Sequence, residues 1–210
     1  MTCAICHARR PRRACPGVQG EICTNCCGTE REVTVHCPLD CEFLQEARKH
    51  DAAPHIGKIP NPDIRVTESL LRENENLFVS VSAALAKAAL ATPGVVDFDV
   101  RESLEALIRT YRSLQSGIYY ETRPDNPAAA SLCGVVQDAI AGFRKAETEQ
   151  LGMPRTRDAQ VLGLLVFLQR WELERNNGRR LGRAFLEALQ GLYPGGLGPE
   201  TSPASSLILP

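Results

Sequence analysis

The chain has few aromatic residues and no apolar run long enough to cross a membrane. Only 5% of its 210 residues are aromatic, with a single tryptophan. The longest apolar stretch, residues 161–168, is broken by Gly163 and is far shorter than the roughly 20 residues that a transmembrane helix needs. The opening residues, MTCAICHARR, contain no apolar core for a signal peptide. We therefore expect a cytoplasmic protein that does not bind membranes.

Histidine is absent after His55, so the long C-terminal region lacks the most common general base. The sequence also shows no nucleophile beside a base, no paired carboxylates, no phosphate-binding loop and no open metal site. We therefore predict no catalytic residues and no enzymatic activity. The formal net charge of -1 gives no general attraction to nucleic acid.

Cysteine is abundant, and eight of the nine cysteines fall within residues 3–41. In a chain that is not exported, clustered cysteines are more often metal ligands than disulfides, because cytosolic thiols are kept reduced. Two CxxC pairs, each able to present both sulfurs to one ion, favour zinc. The candidate ligands are Cys3, Cys6, Cys15, Cys23, Cys26, Cys27, Cys37 and Cys41.

The adjacent pair Cys26-Cys27 indicates two ions, because neighbouring side chains point in different directions and share one tetrahedral ion poorly. Eight thiolates fill two closed, structural zinc sites with none left over. We favour an interleaved division into Cys3, Cys6, Cys23, Cys26 and Cys15, Cys27, Cys37, Cys41. Two variations stay open. A sequential division would start with Cys3, Cys6, Cys15 and Cys23, and His36 can replace Cys27 or Cys37.

Residues 3–44, CAICHARRPRRACPGVQGEICTNCCGTEREVTVHCPLDCEFL, resemble the small cross-braced zinc modules of the HIT, MYND and B-box type in their two interleaved ligand sets. Their intervals differ from those families. They are more similar to a zinc-finger-like N-terminus found in uncharacterised bacterial proteins with a helical remainder. The resemblance implies protein contacts and no activity, so we expect an interaction or regulatory scaffold whose partner is another protein.

Two other functions are compatible with the same residues. The basic loop of Arg9, Arg10, Arg12 and Arg13 can contact phosphates, as in a nucleic-acid-associated regulator, or can balance the charge of nearby thiolates. Four cysteines can also hold an iron-sulfur cluster in a redox or sensor protein, although neither the CxxCxxC nor the Cx4CxxC spacing occurs here.

The rest of the chain predicts a mainly α fold, in which a small zinc-stapled module precedes a bundle of about five helices. Apolar periodicity and capping residues place these helices at 67–91, 99–120, 127–150, 156–176 and 179–193. The helix after Thr156 is apolar nearly all round, so we expect it at the centre. The predicted divisions are a two-zinc module at 1–49, a linker at 50–63, the bundle at 64–194 and a disordered tail at 195–210.

Overall fold

A computed structural model of the protein describes residues 2–51, 57–118 and 120–197. Residues 52–56 of the predicted linker and 198–210 of the predicted tail lie outside the described residues. The described part contains eight helices and one two-stranded sheet, which confirms the mainly α prediction. In this part of the chain, no helix combines the length and the apolar character needed to cross a lipid bilayer.

The N-terminal module, residues 2–51, consists of a β-hairpin and two short helices. Strand β1 (Arg13–Cys15) pairs antiparallel with β2 (Gly20–Ile22), and α1 (Thr24–Glu30) and α2 (Glu42–Arg48) follow. Its cysteine-rich cluster of buried residues contains only Cys3, Ile22, Cys23 and Cys26. A core of this size contributes little to stability, and small modules of this kind need a metal or another cross-link.

The C-terminal body is formed by six helices. These are α3 (Glu68–Glu73), α4 (Glu75–Ala91), α5 (Asp97–Gln115), α6 (Pro127–Leu151), α7 (Asp158–Arg175) and α8 (Ala184–Gly191). The prediction of one continuous helix over residues 67–91 is wrong at Asn74. Asn74 leaves the helical backbone conformation, with φ at -118° and ψ at 25°. Its N–H makes the last i→i−4 bond of α3, to the carbonyl of Leu70 at 3.2 Å, and its side-chain amide donates to the same carbonyl at 2.8 Å.

Two predicted helix starts can be compared with the observed caps. Asn126 caps α6 as predicted, since its side-chain oxygen accepts the N–H of Ala128 at 3.0 Å. The predicted start at Asp99 is wrong by two residues, because Asp99 lies inside α5. Its carboxylate reaches back to accept the N–H of Val96 at 2.9 Å, so the helix begins at Asp97.

Helix α7 is buried around most of its circumference, as its composition predicts, and it shares the interior of the body with α5. It packs against α3, α5 and α8, while α4 and α5 pack on α6. Gly163 allows α3 to come close, because a Cβ at this position would lie 2.6 Å from Cδ2 of Leu70. The fully buried residues of α7 include Val161, Leu162, Leu164, Leu165, Val166 and Leu168.

A buried ion pair joins α5 to α7. Nε and Nη2 of Arg101 donate to the two carboxylate oxygens of Glu172, at 2.9 and 3.0 Å. Asn176 donates a third hydrogen bond to the same carboxylate, at 2.6 Å. Glu172 has no exposed surface. A buried carboxylate is tolerated only when it is paired in this way, so Arg101 is required for Glu172 to be buried.

We expect Arg101→Met to lower the free energy of unfolding by about 3 kcal/mol, because it leaves the Glu172 carboxylate buried without its cation. Arg109→Met on the same helix is the matched control. Its side chain is 68% exposed and its ion pair with Glu105 is long, at 3.9 Å, so the loss should be under about 1 kcal/mol. Urea denaturation measures both losses, and equal losses would contradict the role given to the buried pair.

Candidate metal centre

The first CxxC pair lies in a tight turn. The N–H of His7 donates to the carbonyl of Cys3 at 2.9 Å, and the N–H of Cys3 donates to the carbonyl of Arg9 at 2.9 Å. His7 adopts a left-handed conformation, with φ at 55°. A further hydrogen bond, from the N–H of Ala4 to the carbonyl of Glu21 at 2.9 Å, attaches this turn to strand β2. The turn is therefore fixed beside the start of α1.

The second CxxC pair forms the N-terminus of α1. Cys23 is the N-cap, and its sulfur accepts the N–H of Cys26 at 3.4 Å. The N–H of Cys23 in turn donates to the sulfur of Cys3 at 3.3 Å. The helix turn places Cys23 and Cys26 on one side, and the hairpin brings both of them to the first pair.

These elements bring together the sulfurs of Cys3, Cys6, Cys23 and Cys26, which all lie within 4.8 Å of one another. With Zn–S bonds of about 2.3 Å, tetrahedral geometry separates sulfurs by about 3.8 Å, which is compatible with this grouping. Cys26 therefore joins Cys3, Cys6 and Cys23, as the interleaved division predicts. The sequential division would have placed Cys15 there. Over the described residues, no other three Cys, His, Asp or Glu side chains bring their ligand atoms this close.

The pKa values within this group differ because the thiols interact. Burial raises the pKa of Cys3, but backbone N–H donors, including those of Cys6 and Cys23, outweigh it and lower that pKa to about 6. The N–H of Cys26 likewise lowers the pKa of Cys23. Burial, together with the other three sulfurs, raises the pKa of Cys26 to about 12. The four sulfurs therefore resist ionising together, and a bound divalent cation would remove that restriction.

The other four cysteines line one cavity. Cys15 comes from β1, Cys27 from α1, and Cys37 and Cys41 from the segment before α2. Their sulfurs are not within 4.8 Å of one another as those of the first group are. Cys26 also lines this cavity, so the two groups of cysteines are adjacent.

Cationic and apolar side chains surround this second group. Nη1 of Arg13 donates to the sulfur of Cys27 at 3.2 Å, and the same guanidinium lies 4.3 Å from the centre of the Phe43 ring. Nη2 of Arg31 approaches the same sulfur at 3.9 Å. Burial raises the pKa of Cys37, and the nearby charges of Glu32, Cys15 and Cys41 raise it further. Two guanidinium groups, those of Arg13 and Arg31, thus lie at the sulfur of Cys27.

His36 and the ninth cysteine, Cys133, belong to neither group. His36 is exposed and is not among the residues that line the cavity. Cys133 is buried on α6, where its thiol donates to the carbonyl of Ser103 at 3.4 Å and burial raises its pKa. Sequence reasoning missed the contact of Arg31 with Cys27, although their i, i+4 spacing at the end of α1 is the signal that could have found it.

Comparison of the chain with protein families, curated proteins and solved structures finds no match. The arrangement of the residues alone therefore supports the metal-binding interpretation. It consists of a four-cysteine cluster able to hold a metal ion, in a small module that precedes a helical body.

We expect Cys26→Ser to remove one metal ion per chain and to lower the thermal midpoint of the module, because the first group then has three thiolates instead of four. Cys133→Ser is the matched control, since Cys133 is equally buried but lies in the helical body. Elemental analysis and calorimetry measure both effects. Equal metal content in the two variants would exclude Cys26 as a ligand.

Proposed function

We propose that this chain is a structural zinc-binding protein, and that its N-terminal module is an intracellular protein-interaction or regulatory scaffold. The observation that carries the proposal is the convergence of Cys3, Cys6, Cys23 and Cys26 from two separate turns. Four thiolates in a closed tetrahedral set favour zinc and leave no position for a water or a substrate. Such a site stabilises a fold and does not catalyse a reaction.

A second zinc ion, bound by Cys15, Cys27, Cys37 and Cys41, completes the proposed module. Two observations support it: the four residues line one cavity, and Arg13 and Arg31 both point at the sulfur of Cys27. Cations near a tetrathiolate ion offset its formal charge of -2. Residues 36–41, which carry Cys37 and Cys41, lie in neither helix nor strand, so this segment can move to bring these two sulfurs into one coordination sphere with those of Cys15 and Cys27.

The interleaved order of the two ligand groups supports a role in protein contacts. The first group takes cysteines from two separated parts of the sequence and the second from three, so the two ions would hold residues 3–41 as one rigid unit. The cross-braced modules that the sequence resembles commonly present such a unit to other proteins. A partner protein is therefore the ligand class that we propose for this module.

Nucleic acid is the second candidate partner, and the basic loop supports it. Arg9, Arg10 and Arg12 are exposed, whereas Arg13 is engaged with Cys27 and Phe43. Three arginines are thus available for phosphate groups. Against this, the module also exposes Glu21, Asp40 and Glu42, which repel a polyanion wherever they share its binding face.

We expect the purified protein to be colourless and to carry two zinc ions per chain, and we expect Cys37→Ser to reduce the content to one. Elemental analysis and visible absorbance test this directly. Stoichiometric iron with visible absorption bands would identify an iron-sulfur protein instead. One zinc ion in the wild type would restrict the proposal to the first group.

Replacing Arg9, Arg10 and Arg12 together by Ala tests the nucleic-acid alternative while leaving Arg13 in place. We expect the wild type to bind duplex DNA no more tightly than about micromolar at physiological salt, since the module has no net excess of basic residues. The matched control replaces the exposed Arg72, Arg109 and Arg180 of the body by Ala. Tight, salt-dependent binding that only the loop variant loses would establish the nucleic-acid function.

A further inference from the structure

The N-terminal module contacts the helical body through Glu32. The N–H of Leu181 donates to the Glu32 carbonyl at 2.8 Å, and the N–H of Arg183 donates to Oε1 of Glu32 at 3.0 Å. Nδ2 of Asn177 donates to Oε2 at 2.7 Å. We refer to Glu32, Asn177, Leu181 and Arg183 as the Glu32 joint. It connects the end of α1 to the segment between α7 and α8.

Glu32 is held in an unusual environment. It is 1% exposed, and its φ of 54° is left-handed, a conformation that costs a non-glycine residue free energy and persists where surrounding contacts impose it. Arg48 of α2 donates to Oε1 at 2.7 Å and also forms an ion pair with Glu187 of α8. Glu32 is therefore a buried carboxylate whose partners come from both the module and the body.

The loop that carries Glu32 is also a wall of the second cysteine cavity. Arg31 and Val35, on either side of Glu32, line that cavity together with Cys27 and Cys37. Within the loop, the N–H of Glu32 donates to the carbonyl of Val35 at 3.2 Å. The backbone conformation of residues 31–35 therefore determines both the shape of the cavity and the position of the Glu32 carboxylate.

We infer that a divalent cation bound by the second cysteine group controls the docking of the N-terminal module on the body through the Glu32 joint. The inference rests on the second zinc site of the proposed function. A bound ion would fix Cys27 relative to Cys37 and so hold the intervening loop, with Glu32 left-handed. Loss of the ion frees the loop, and Glu32 then withdraws from Leu181 and Arg183.

The start of α8, next to the joint, is held by a different carboxylate, so its amide exchange rates can serve as a reference within the same protein. The carboxylate of Asp97 accepts the N–H groups of Phe185 and Leu186, at 2.9 and 3.0 Å, and caps α8. Neither amide donates a hydrogen bond to Glu32. Opening of the joint should therefore expose the amides of Leu181 and Arg183 while those of Phe185 and Leu186 stay protected.

Residue-resolved amide hydrogen exchange on the full-length, zinc-loaded protein tests the joint. Asn177→Asp keeps the oxygen that accepts the N–H of Arg179 but places a second carboxylate against Glu32. We expect exchange at Leu181 and Arg183 to become at least about tenfold faster, with zinc content unchanged. Asn76→Asp, the same substitution at an exposed position of α4, should leave both rates unchanged. Equal exchange rates at Leu181 and Arg183 in the Asn177→Asp and Asn76→Asp proteins would contradict the role given to the Glu32 joint.

The role of the ion is tested by removing the second site with Cys37→Ser. We expect the same two amides to exchange about tenfold faster or more, while Phe185 and Leu186 keep their wild-type rates. If the wild-type protein binds one zinc ion per chain, the second zinc site does not exist and no ion there can control the docking. A wild type with two ions, whose Leu181 and Arg183 rates do not respond to Cys37→Ser, refutes the coupling alone.

Discussion

Four thiols within 4.8 Å of one another cannot all ionise unless a cation shares the space between them. This constraint determines the structure of the N-terminal module, whose small cluster of buried residues is itself made largely of cysteines. Three elements there bring the first four sulfurs together: a turn carries Cys3, a helix start carries Cys23, and the hairpin connects them. Without a cation, the same groups would be the least stable part of the molecule.

The helical body obeys a different constraint. Its central helix, α7, is buried by apolar side chains around most of its circumference, so burial of apolar surface supplies the stability that the module lacks. Glu172 is a buried charged residue in this helix, and it is tolerated because Arg101 and Asn176 donate hydrogen bonds to its carboxylate. The body therefore has a large apolar core that contains none of the eight N-terminal cysteines.

Glu32 joins these two parts. Its backbone belongs to the loop that lines the cysteine cavity, and its carboxylate accepts hydrogen bonds from the body. A change in the conformation of this loop would therefore directly alter the docking of the module. This gives the proposed scaffold a physical route for regulation. A partner protein that recognises either the docked or the released module would then respond to the metal content of the second site.

Features set by neighbouring residues could be predicted from the sequence. Both CxxC turns, the Asn126 cap and the all-round apolar character of α7 depend on interactions within a few positions. The grouping of Cys26 with Cys3, 23 positions away, followed instead from the interleaved division of the cysteines. The interruption at Asn74 was missed because an asparagine side chain can bond a nearby backbone carbonyl, here that of Leu70, and the apolar pattern does not show this. Arg13 differs from its neighbouring arginines only because the fold places Phe43 and Cys27 beside it. Only the tertiary structure determined the role of Glu32, since its partner Asn177 lies 145 positions away and burial of a carboxylate depends on the partners that folding brings to it.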